Sequence, residues 1–147
     1  MSRHPTPARV NHMLSPALLA ELLAPSYAKA NDRTPDDVYD EVKTGIAARL
    51  HGPLCDAIWK ALQKAQPGRD DATLLDHLGG ALAGKSGART PSATKGALEK
   101  MNAVFACIDL EVGRASDAAR SALSTPQGER MLHKAIDVAA DFIVSRW

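Results

Sequence analysis

The sharpest chemical suggestion in the chain is Gly79-Gly80-Ala81-Leu82-Ala83-Gly84-Lys85-Ser86. It has the spacing of a phosphate-binding loop: glycine, four residues, glycine, lysine, serine. An apolar run, Val104 to Ile108, then leads to Asp109, where a magnesium-holding carboxylate would stand. Such a loop works by leaving a buried strand and opening a helix, so that backbone N–H groups wrap the phosphates. Here the residues before Gly79 read as helix, and the run before Asp109 belongs to a helical heptad. No alternating strand pattern supplies a parallel sheet. The spacing therefore reads as a chance match in a glycine-rich segment, and no nucleotide or other cofactor is expected.

Other candidate groups are sparser. His77, in Asp76-His77-Leu78, could carry a phosphoryl group on a helical bundle, but the next basic residue is Lys85. Glu129, His133, Asp137 and Asp141 recur every four residues, which could line up a metal or a proton relay. That stripe lies away from Met131 and Phe142 and reads as a solvated helix face. His51 and Cys55 are four apart, but Gly52-Pro53 stands between them and should break their shared face. No HExxH, no finger-spaced Cys/His pairs and no GxSxG occur. Neither a catalytic constellation nor a metal site is expected.

Lys85, Arg89, Lys95 and Lys100 make one stretch basic, with Glu99 its sole acid. Those cations could neutralise phosphates while Ser92 and Thr94 position the backbone, so a nucleic-acid-binding regulator is one reading. A helix-turn-helix there would need a far longer turn than usual, and no aromatic side chains interleave the basic ones for stacking.

These residues need elements to hold them. The chain has 147 residues, 45% hydrophobic and 24% charged, which suits one globular domain with its own core. Aromatics are 4%, and abundant alanine favours close-packed helices. A net charge of +1 implies no general attraction to nucleic acid or anionic membrane. Cys55 and Cys107 sit among apolar residues and read as buried, reduced thiols. No adequate signal segment or membrane span is visible, so a cytoplasmic location is expected.

A hydroxyl followed by proline opens a periodic run at Ser15-Pro16, Thr34-Pro35, Thr90-Pro91 and Thr125-Pro126. A hydroxyl at the N-cap and proline at the next position are helix-start chemistry. Residues 1–13 read as a flexible tail and residues 14–147 as a single helical domain, with a mobile glycine-rich loop over 84–90. Helix one is expected from Pro16 to Ala24, stopped by Pro25. Helix two carries Val38, Val42, Ile46 and Leu50 and ends at Gly52-Pro53. Helix three carries Leu54, Ile58 and Leu62, and helix four Leu74, Leu75, Leu78 and Leu82. Leu98, Met101, Phe105, Ile108, Val112, Ala115, Ala119 and Ala122 follow steps of three and four and read as one long helix five. Helix six, from Pro126, carries two adjacent apolar seams and should touch several neighbours.

The expected architecture is all-α: an irregular five- or six-helix bundle with a long C-terminal helical hairpin. The leading functional expectation is a small protein-interaction module (adaptor, regulator or assembly component), binding a protein partner or itself through an apolar helix face. Leu98, Met101, Phe105, Ile108, Leu110 and Val112 are the candidate partner-binding residues. The alternative is the nucleic-acid-binding regulator using Lys85, Arg89, Lys95 and Lys100.

Overall fold

The computed structural model describes residues 6–85 and 92–147, and among these the chain is helical with no strand. In chain order the elements are α1 (Ala8–Met13), α2 (Pro16–Ala30), α3 (Pro35–Gly45), a π-helical turn (Ile46–Leu50) and α4 (His51–Ala65). They continue as α5 (Asp71–Lys85), α6 (Lys95–Lys100), α7 (Asn102–Glu111), α8 (Asp117–Leu123) and α9 (Pro126–Val144). This is all-α, but with more and shorter segments than five or six. The prolines and glycines explain most of the difference.

Ser15, Thr34 and Thr125 each accept a hydrogen bond from the backbone N–H three residues on, with proline opening the helix behind them. Thr90-Pro91 lies outside the described residues. The helix expected to start there starts at Lys95, capped by Thr94.

Pro25 does not stop α2. A helical proline forfeits its bond to the carbonyl four residues back, here that of Glu21. Glu21 is exposed, so water can take the bond's place, while Leu22, Leu23, Ala24 and Tyr27 stay buried and α2 packs on α3. The helix instead ends after Asn31. Asp32 takes φ 53°, and the Arg33 N–H reaches back to the Ala28 carbonyl at 2.8 Å.

Gly52-Pro53 does not end a helix either. From Pro35 to Ala65 the chain is one helical run containing the π turn. Pro53 cannot donate to the Arg49 carbonyl and crowds it, and the wide turn falls where that crowding acts. His51 and Cys55 therefore do share a face. His51 Nε2 lies 2.7 Å from the Leu14 carbonyl and the Cys55 thiol 3.6 Å from the same oxygen. A carbonyl only accepts, so His51 Nε2 carries a proton. This pairing fixes the end of α1, the helix that occupies Ala8–Met13 of the segment read as a tail. Val10 and Leu14 are fully buried.

The long helix five is three helices. It bends at Met101 and stops at Val112. Gly113 has φ 78°, its N–H bonds the Leu110 carbonyl, and the Arg114 N–H bonds the Asp109 carbonyl at 2.7 Å. That is a left-handed glycine cap closing the end of α7. Ser116 then caps α8 through the Ala119 N–H. The C-terminal hairpin is accordingly short: α7 packs against α9, and also against α3 and α8. α9 packs against α4, α6, α7 and α8. One contiguous cluster of buried side chains runs from Val10 to Ile143, with Trp59 and Tyr27 its largest fully buried members. No described helix is long and apolar enough to cross a membrane.

Candidate functional site

The phosphate-loop spacing falls inside α5. Gly79 through Lys85 are helical, so their backbone groups are engaged within the helix rather than gathered into a cradle; Ser86 lies outside the described residues. Asp109, the supposed magnesium carboxylate, accepts a hydrogen bond from the Tyr27 hydroxyl. Of the four basic residues, Arg89 and the side chain of Lys85 lie outside the described residues. Lys95 and Lys100 are exposed on α6. Five helical positions put them about 140° apart around the axis, so they form no single stripe. Glu129, His133, Asp137 and Asp141 are all exposed along α9, and no group of potential metal ligands occurs among the described residues.

Two polar features are built with care. The first joins α2, α3 and the end of α7. Arg33 holds Glu41 with both guanidinium nitrogens, at 2.8 and 3.0 Å, and Arg114 reaches the same carboxylate at 2.9 Å. The Arg33 hydrogen bond holds the Glu41 carboxyl below its usual range, against partial burial that pushes the other way. Nearby, burial first and the Asp109 carboxylate second push the Tyr27 phenol far above its ordinary value. Tyr27 is thus a neutral donor at every physiological pH and a poor base. Its ring meets Phe105 edge-on at 5.8 Å. This arrangement fastens helices together and has no proton to give or take.

The second pins the chain after the undescribed stretch. Ser26, fully buried, accepts from the Ala93 N–H at 2.9 Å, and Lys29 donates to the Ala93 carbonyl at 3.2 Å. Neither cysteine is poised for chemistry. Burial pushes the Cys55 thiol up to about 12 and raises Cys107 as well, leaving no thiolate at neutral pH.

The apolar seam turns inward. Met101, Phe105 and Ile108 are buried in the core, and Leu98 is half-buried against it. Val112 is the half-buried residue that ends α7, and Leu110 lines a separate charged cleft of about 400 Å³ with Arg49, Glu111, Arg120 and Glu129. The open apolar surface is elsewhere. A groove of about 660 Å³ runs between α6 and α7 on one side and α9 on the other, with α8 closing it. Its floor is small: Ala103, Ala106, Ala119, Ala122 and Gly128. Met131, 57% exposed, is the sole exposed large hydrophobic residue among those described, and it lines this groove. Gly128 lets α9 approach α8: a Cβ there would sit 2.0 Å from the Ala122 carbonyl oxygen.

Sequence periodicity did mark Ala119 and Ala122, as the alanine half of the heptad. It placed them on a continuous seam, whereas the break at Gly113 turns them into the groove wall. Compared with known protein families, curated proteins and solved structures, this chain matches none.

Proposed function

We propose that this chain is a helical interaction module that buries an apolar helix of a protein partner in the groove between α6–α7, α8 and α9. The observation that carries the reading is the groove itself: an open, alanine-floored trough beside the sole exposed large hydrophobic side chain among the described residues. Apolar grooves with a few polar rim groups are where partner helices dock. The clasp of Tyr27, Glu41 and the two arginines then has a supporting role, holding α7 against α2 and α3 so that the groove wall is firm.

The test compares proteins captured by the tagged chain at low salt, with and without nuclease, against those captured by Ala106→Arg. Arginine there fills the groove from a half-buried position without touching the core. The expected result is a nuclease-resistant partner that Ala106→Arg loses and Lys95→Ala keeps. A partner set that ignores Ala106→Arg would sink the proposal. The nucleic-acid alternative is separated in the same experiment, since its partners leave with nuclease and with rising salt.

A further inference from the structure

Resting on the groove as the binding face, we infer that its occupant is an amphipathic helix of a different protein, with large apolar side chains along one face and carboxylates beside them. The shape sets the first requirement. Glu99, Ala103 and Ala106 step by four and three along one wall, and Gln127, Met131 and Lys134 do the same along the other. Residues at that spacing share a helix face, so two such rows side by side form a trough for a third helix. Alanine and glycine leave the space of about 660 Å³ to be filled from outside, and only large side chains fill it.

The same observation argues against a second copy of this chain. Among the described residues, Met131 is the one large hydrophobic side chain that stands exposed, and it already belongs to the trough. A second copy has no described row of large apolar side chains to insert.

Charge sets the second requirement. Lys100 and Lys134 both line the groove, with Glu99 the only acid there. Neither lysine forms an ion pair with a described residue. A helix flanked by carboxylates supplies both with partners, and one flanked by lysines meets repulsion.

The experiment uses three fluorescent synthetic helices with one shared leucine row and polar faces of glutamate, glutamine or lysine. A fourth has the leucines replaced by alanine. Anisotropy titrations on the full chain should rank glutamate over glutamine over lysine, with about tenfold between the extremes at low salt. Lys100→Glu with Lys134→Glu should reverse that order, and Ala106→Arg and the alanine helix should abolish binding. Equal affinity for all three leucine helices, lost in Ala106→Arg, overturns the charge selection while the groove reading stands. Binding that ignores Ala106→Arg, or no binding at all, overturns both. A dimer seen by sedimentation that Ala106→Arg dissolves overturns the choice of a different protein.

Discussion

Replacing Gly113 and Gly96 with alanine, separately, should move stability in opposite directions. Both glycines lie within the stretch whose heptad pattern reads as one helix. Gly113 has φ 78°, where an L side chain costs about 1–2 kcal/mol. Gly96 lies in the first turn of α6, and a Cβ there meets nothing within 4 Å. Alanine at 96 should gain about 0.5–1 kcal/mol, by restricting the unfolded chain and favouring the helix. The two variants should therefore differ by roughly 2 kcal/mol, or about 4–8 °C in melting temperature for a chain of this size. Urea titration followed by circular dichroism measures this directly, with equal slopes required for the midpoints to be compared. If Gly113→Ala stabilises as Gly96→Ala does, the chain is helical through 113 and the division into α7 and α8 is wrong. The groove proposal would fall with it, because Ala119 and Ala122 would return to a continuous seam.

Tyr27→Phe should cost about 1–2 kcal/mol by removing the donor to Asp109, with the ring packing on Phe105 kept; a change under 0.5 kcal/mol by the same titration, an order-of-magnitude bound, would show that the bond contributes nothing net. Glu41 binds its proton less readily in the folded chain than in the unfolded one, so its contribution is present above about pH 4.5 and is lost as pH falls through the lower folded value. Stability curves of the native chain and Glu41→Gln should accordingly converge on acidification, from a gap of at most about 1 kcal/mol at neutral pH, since the pair is partly exposed; a gap that widens in acid refutes the sign. Both thiols should resist a thiol-specific reagent in the folded protein at pH 8 and react once denatured, and rapid labelling of folded Cys55 would contradict its burial.

Helix starts were the most legible part of the fold, because Ser15, Thr34 and Thr125 act through local hydrogen bonds that the next residues determine. Helix ends were less legible. Pro25 and Pro53 look like stops in isolation, yet burial of Leu22, Leu23 and Tyr27 around the first, and a wide turn before the second, outweigh the missing donors. Gly113 is the converse case. The heptad runs through it, but Ser116 and Asp117 beyond it have the chemistry of a fresh start, and glycine ahead of such a pair is better read as a cap. The groove could not be seen from periodicity, since it forms where three short helices converge after that break. The seam residues were found correctly as apolar, and their burial decides which side of the molecule they serve.

The π turn has a consequence for how this chain can change. Val38, Val42, Ile46, Leu50, Leu54, Ile58 and Leu62 are spaced by four throughout, and all are fully buried. In a regular α-helix each step of four overshoots by about 40°, which would carry the last of them well around to the far side. A turn that advances less per residue takes back part of that drift. What this stretch must preserve is therefore a number of residues rather than a set of side chains. Ala47, Ala48 and Arg49 are exposed and open to substitution. Removing any one of them would rotate everything after it by about 100°. His51 and Cys55 would swing off the Leu14 carbonyl and Trp59 would leave the core, so a deletion here should be far more damaging than any exchange.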